Sequence, residues 1–196
     1  MKVIGLCGGS GSGKSVVSAA FAKRGFIAID TDKVYRDLTD RKSHCLDELV
    51  CVFGGDILTE FGALNRAKLR NIVFADREKL KQLNSITHKY ILGEVRSIIS
   101  DAEKQGALGA LVDAPLLYES GFDTECDYVV AVVADRKNRI ARIMKRDNIT
   151  ELQATARIDS QISNAELISK ADFVIVNDRE IQDIDDQVSK ITRQII

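Results

Sequence analysis

The residues best equipped for chemistry lie within the first fifteen of the chain. Gly8-Gly9-Ser10-Gly11-Ser12-Gly13-Lys14-Ser15 satisfies G-x-x-x-x-G-K-[ST], between an apolar run at 2–6 and a helix-like segment. In that context the stretch reads as a loop that binds nucleotide phosphates. Glycines let backbone N–H groups turn inward around phosphate oxygens, and a helix starting there aims its positive dipole end at the same charge. Lys14 then reaches the β- and γ-phosphates, and the Ser15 hydroxyl is placed to ligate Mg²⁺. A ligand-free glycine turn is the competing reading, and the matched strand-to-helix context weighs against it.

Three further groups belong to the same chemistry. Asp30-Thr31-Asp32 ends the second apolar run, and in an open parallel sheet the carboxyl ends of strands face the ligand crevice. A carboxylate there can accept the proton of an attacking hydroxyl or hold magnesium through water. Helix capping by Asp30 or Thr31 would explain one of the acids but not both. Asp113 ends the third run, ahead of Ala114-Pro115-Leu116-Leu117-Tyr118-Glu119. It is either a second magnesium-linked acid or a turn residue before the only proline. Arg139, Arg142 and Arg146 share one face of a helical pattern at 136–147. Guanidinium groups on a mobile helix can fold over a nucleotide and stabilise a phosphoryl group in transfer, although a solvated charged face accounts for any one of them. Thr150 with Gln153 forms a capping box that starts another helix, so two helices joined at Asn148 make a lid.

Alternating strand and helix signals position these groups. Short, almost wholly apolar runs at 2–6, 26–30, 108–113, 128–134 and 173–177 suit strands buried on both faces of a parallel sheet. Helical periods occupy 14–24, stopping at Gly25, and 136–147. A third lies at 181–195, with Ile181, Ile184, Val188, Ile191 and Ile195 in register. The expected fold is a three-layer α/β sandwich. Roughly 75 residues separate the second and third strands, where a crossover needs about a dozen. A helix at 43–53 ending at Gly54 and Gly55, a turn-rich stretch through Gly62, and a long helix at 76–104 with a candidate break near Ser85 fill that gap. The excursion is either a helical buttress or a subdomain closing over a second substrate, and long excursions favour the latter.

Composition bounds the function. At 196 residues, one domain with elaborations is expected. A net charge of −1 supplies no global attraction to nucleic acid or anionic membrane. The apolar run at 2–6 is far too short for a secretory signal, so a cytoplasmic protein is expected, with no obligate protein partner evident. Cys7, Cys45, Cys51 and Cys126 lack C-x-x-C spacing, and with His44 and His88 they form no zinc pattern. Reduced, buried thiols are the favoured reading.

Taken with their order, GLCGGSGSGKS at 5–15, FIAIDTDKVYR at 26–36, FGGDILTEFGALNR at 53–66, LVDAPLLYESG at 111–121, IMKRD at 143–147 and ADFVIVND at 171–178 resemble the dephospho-coenzyme A kinase family. The phosphate loop is shared by many kinases; its combination with the D-x-D and the P-L-L-[FY]-E segment is specific. The resemblance implies a single P-loop kinase domain with a five-stranded parallel sheet. Its core would be 1–35, 106–135 and 171–196, its substrate-binding helical insertion about 36–105 and its lid about 136–165. It implies ATP-dependent phosphorylation of the ribose 3′-hydroxyl of dephospho-CoA, with ATP and Mg²⁺ as cofactors. Asp32 would be the base, Lys14 the phosphate clamp and Arg142 the lid arginine. ATP would be held by Gly9, Ser10, Gly11, Ser12, Gly13, Lys14, Ser15, Val16, Arg142 and Asn177, the last near the adenine. The acceptor would meet Asp32, Arg66, His88, Leu116, Leu117 and Glu119. Magnesium would sit on Ser15, with Asp32 and Asp113 acting through water. The chain departs from the family at Cys7, where Thr is usual, at His88-Lys89, where His-Pro is usual, and at Phe61-Gly62, where Asp-Gly is expected. The alternatives are a kinase for another small acceptor, such as a nucleoside or a shikimate-like compound, and a non-catalytic nucleotide-dependent switch.

Overall fold

The computed structural model describes every residue except Ala75, Arg179 and Glu180, and for Ile181 the backbone alone. Two compact units divide the chain, Met1–Ile29 with Ile99–Ile196 and Asp30–Ile98.

The first unit is built on a parallel sheet of β1 (Lys2–Cys7), β2 (Phe26–Asp30), β3 (Gly109–Asp113), β4 (Tyr128–Val133) and β5 (Phe173–Val176), in the order β2-β3-β1-β4-β5. Strand β1 pairs Ile4 with Leu111 on one side and Leu6 with Val130 on the other. Its two-sided burial explains why the run is apolar at successive positions instead of alternating. Strand ends match expectation to within one residue, and β2 matches at both ends. Leu108, for example, stays more than half exposed ahead of Gly109.

Helices α1 (Lys14–Ala22) and α9 (Ile181–Ile195) cover this sheet. Val17 and Phe21 of α1 and Ile184, Val188, Ile191 and Ile195 of α9 pack with Ile4, Leu6, Leu111, Val132 and Ile175. Each large apolar side chain so buried contributes about 1.5–3 kcal/mol. The fifth member of the expected stripe, Ile181, has its side chain outside the described residues. Beyond β4, α6 (Arg136–Asp147) and α7 (Glu151–Asp159) close on a small core of Ile143, Ala154 and Ile158. Asn148 takes the left-handed conformation at φ 51° between them, and Thr150 with Gln153 completes the capping box. Arg136 pairs with Asp159 at 2.6 Å, and Arg146 and Arg157 both bind Asp147. Those two guanidinium groups, Arg146 foremost, hold the Asp147 carboxyl down at about 2. A short helix, α8 (Asn164–Lys170), follows, one that the periodicity does not announce.

The second unit holds α2 (Thr31–Thr39), α3 (His44–Phe53), α4 (Arg66–Phe74) and most of α5 (Arg77–Lys104). Cys45, Leu46, Leu49, Ile57, Leu64, Leu69, Val73 and Ile86 form a core of its own. Ser43 caps α3 through the Leu46 N–H, and Asp76 accepts from the N–H groups of Glu78 and Lys79 at the start of α5. Helix α5 runs unbroken through Ser85, contrary to the expected break. Ser85 is exposed there, and an exposed serine costs a helix only a few tenths of a kcal/mol. Among the described residues, no helix is long and apolar enough to cross a membrane.

Candidate active site

The phosphate loop joins β1 to α1 by a backbone path that only glycine follows without strain. Gly11 and Gly13 lie at φ 76° and 94°. A Cβ on Gly13 would stand 1.9 Å from Asn177 Nδ2, which donates to the Ser12 carbonyl at 2.7 Å. Gly13 is also the N-cap of α1, and it supplies no side-chain cap. Among the described residues, the Lys14 and Ser15 N–H groups that open the helix take no backbone acceptor, whereas Val16 N–H donates to Gly13 O at 3.0 Å, so those two are left for an anion, the arrangement that suits phosphate.

Three consecutive carbonyls of the loop are tied down from its outer side. Arg139 Nε donates to Ser10 O at 2.9 Å, Arg142 Nη1 to Gly11 O at 3.2 Å and Asn177 Nδ2 to Ser12 O. Arg142 also donates to the Asn177 carbonyl at 2.9 Å, bracing the end of β5. Of the three arginines on the predicted helix face, Arg139 and Arg142 come to the loop. Arg146 does not, being paired with its neighbour Asp147. Asn177, expected near the adenine, is buried with its amide committed to the loop.

Lys14 curls over the loop, its Nζ 3.2 Å from the Gly8 carbonyl and 3.7 Å from Asp113 Oδ1. Parallel pairing of β1 with β3 brings the strand-end aspartate there, since Leu6 lies opposite Asp113. Ser15 is exposed in the first turn of α1, and Val16 packs against the sheet core. No group of three His, Cys, Asp or Glu able to hold a metal occurs among the described residues. Magnesium does not require one, because it keeps several waters and takes one or two protein groups together with phosphates. Ser15, with Asp113 beside Lys14, fits that mode of binding.

In the second unit the two acids of the D-x-D motif have separate fates. Asp30 is the N-cap of α2, its Oδ1 accepting from the N–H groups of Asp32 and Lys33 at 2.9 and 3.2 Å. Asp32 is exposed, and among the described residues no hydrogen bond engages its carboxylate. Arg66 donates to Thr39 Oγ1 at 2.9 Å and Asp40 Oδ1 at 2.7 Å and lies over the Tyr35 ring. His88 is half-buried on α5.

The segment after β3 splits in a similar way. Leu116 and Glu119 are exposed, but Leu117 is fully buried. A Cβ on Gly5 would lie 2.8 Å from Leu117 Cδ2, so this leucine packs against β1 and presents no surface to an acceptor. Cys7, the departure next to the loop, is buried beside Tyr118, and burial pushes its thiol up to about 11. It sits there as a neutral, space-filling group.

Two residues of the loop's surroundings escape sequence reasoning. Gln161 accepts from the Ser10 N–H at 2.9 Å and donates to Ser10 Oγ at 3.1 Å, and Asn164 accepts from Arg139 at 3.2 Å. Neither lies in a periodic pattern or a phosphate-binding motif, and no local signal marks them.

Comparison with known proteins agrees with this geometry. The sequence profile of the dephospho-CoA kinase family matches residues 2–183. A dephospho-CoA kinase of Fusobacterium nucleatum is 39% identical over 193 residues, covering 98% of each chain. The solved structure of dephospho-CoA kinase from Campylobacter jejuni superposes with a TM-score of 0.72 at 28% identity, over all of this chain and 98% of the other. Shikimate kinase from Acinetobacter baumannii, with a TM-score of 0.56 at 14% identity over all of this chain and 93% of the other, shares the fold alone. The match runs from the phosphate loop through α2 to α8 and into α9, and on it the chain belongs to the dephospho-CoA kinase family.

Proposed function

We propose that the chain transfers the γ-phosphoryl group of ATP to the ribose 3′-hydroxyl of dephospho-CoA, the last step in making coenzyme A. The observation that carries this reading is an intact phosphate loop, with Lys14 over it, inside a family match spanning residues 2–183. A distant shikimate-kinase likeness at 14% identity gives no support to a shikimate-like acceptor.

In this reading Asp32, whose carboxylate is left open by the capping role of Asp30, orients the 3′-hydroxyl and takes its proton. Lys14, the loop amides and Arg142 stabilise the charge that develops on the phosphoryl oxygens. Ser15 would hold Mg²⁺, with Asp113 reaching it through water, and the ion would supply positive charge to offset that of the phosphoryl oxygens. We assign acceptor contacts to Arg66 and His88 of the helical unit Asp30–Ile98, and to Leu116 and Glu119 after β3. Residues 136–165 act as the lid, and the enzyme works in the cytosol on free small molecules.

An acceptor screen tests the proposal. ADP and a 3′-phosphorylated product should appear with dephospho-CoA and not with nucleosides or shikimate. Slow hydrolysis of ATP indifferent to every acceptor would replace the proposal with a nucleotide-dependent switch.

A further inference from the structure

Ser10, at the tip of the phosphate loop, is held by more partners than its neighbours. Its N–H donates to Gln161 Oε1 at 2.9 Å, its hydroxyl accepts from Gln161 Nε2 at 3.1 Å and its carbonyl accepts from Arg139 Nε at 2.9 Å. Arg139 Nη2 in turn donates to the same Gln161 Oε1 at 3.1 Å, and its Nη1 to Asn164 Oδ1 at 3.2 Å. Asn164 is itself anchored on the Ala134 carbonyl at 3.0 Å. The cluster is therefore closed: one residue of the loop, one of α6 and two flanking the α7–α8 turn, each fixing the next.

Two features point beyond simple packing. A trans peptide is planar, with its N–H opposite its carbonyl. Tying the Ser10 carbonyl to Arg139 on the outer side therefore turns the Gly11 N–H toward the inner side, where a phosphate oxygen would lie. Secondly, Arg139 is only 4% exposed, yet among the described residues its hydrogen-bond acceptors are all neutral: a carbonyl and two side-chain amides. A buried guanidinium without a carboxylate is costly, and an anion nearby relieves that cost. Gly9 makes the approach possible, since a Cβ there would lie 2.2 Å from Arg139 Nη2.

We propose that Gln161 and Arg139 are positioning residues that set the tip of the phosphate loop in its polyphosphate-binding shape, with Gln161 linking that shape to the lid. The proposal rests on the reading of residues 8–15 as a nucleotide-phosphate loop. Preorganisation of this kind appears as affinity for the ligand, because the free loop has less freedom left to lose.

The test is calorimetric binding of ADP, together with steady-state kinetics, on the full chain carrying Gln161→Ala or Gln161→Glu. Gln161→Ala should weaken ADP binding about 10-fold, equivalent to about 1.4 kcal/mol, and raise the KM for ATP in step. The KM for dephospho-CoA should stay unchanged, and the most protected amides of β1 and β4 should remain slow to exchange, showing that the first unit stays folded. Gln161→Glu keeps an oxygen for both the Ser10 N–H and Arg139, so it should bind ADP within about 3-fold of the unaltered protein. Unaltered ADP affinity in Gln161→Ala, equal losses for both substrates, or failure of that variant to fold would each overturn the positioning role. If the unaltered protein itself failed to bind ADP, the phosphate-loop reading would fall, and this inference with it.

Discussion

Replacing Gly13 with alanine tests the loop geometry through a single close approach. The new Cβ would lie 1.9 Å from Asn177 Nδ2, so the buried amide must leave the Ser12 carbonyl to which it donates at 2.7 Å. Losing that bond with the carbonyl left buried costs about 1–3 kcal/mol. Holding alanine at φ 94° adds about 1–2 kcal/mol. Gly13→Ala should therefore destabilise the first unit by about 2–5 kcal/mol. Asn177→Ala alone removes the same bond and should cost about 1–3 kcal/mol. In the double variant the clash is gone and only the backbone strain is added to the loss at Asn177. It should thus be no less stable than Gly13→Ala alone, giving a coupling of about 1–3 kcal/mol between the two sites. Because the chain has two compact units, a single unfolding midpoint would mix their stabilities. Hydrogen exchange at the most protected amides of β1 and β4 reads the first unit directly. Strict additivity of the two substitutions would refute the account of how Asn177 and Gly13 share this space.

The remaining predictions concern catalysis and the thiols. Asp32→Asn should lower kcat by about 10²-fold or more with little change in ATP affinity, checked by steady-state kinetics; a loss confined to ATP binding would make Asp32 a metal-site residue instead. Arg142→Ala removes donors from both Gly11 O and Asn177 O, so it should raise the KM for ATP about 10-fold as well as lower kcat, whereas Arg146→Ala should leave both within about 2-fold. In the folded protein at pH 8, iodoacetamide should label exposed Cys51 well before Cys7, Cys45 and Cys126, read by peptide mass spectrometry. Burial pushes Cys7 and Cys45 up to about 11 and Cys126 up to about 12. A thiol pKa raised that far leaves almost no thiolate at pH 8, and reactivity should appear only on unfolding or in strong base. Early labelling of Cys7 would contradict its buried, neutral state.

Much of this protein was determined by short-range sequence alone. The phosphate loop follows from glycines within six positions of one another and a helix beginning at Lys14, because φ preference and helix initiation act over a few residues. The buried strands were legible as continuous apolar runs, and α6 appeared with the bounds that its period predicted. Short-range pattern could not rank chemically equal residues. Asp30 and Asp32 are both acids at the end of one strand, and only backbone geometry makes Asp30 the cap and leaves Asp32 open. Leu116 and Leu117 are adjacent leucines, and only the close approach of Gly5 sends Leu117 into the core. Arg139, Arg142 and Arg146 share a periodicity, yet the folding of α6 against the loop gives the first two main-chain carbonyls to hold and the third a surface carboxylate. Gln161 meets Ser10 across 151 residues of sequence. A hydrogen bond between such distant positions leaves no periodic trace in either segment; it exists only because the sheet order carries the turn after α7 back to the loop.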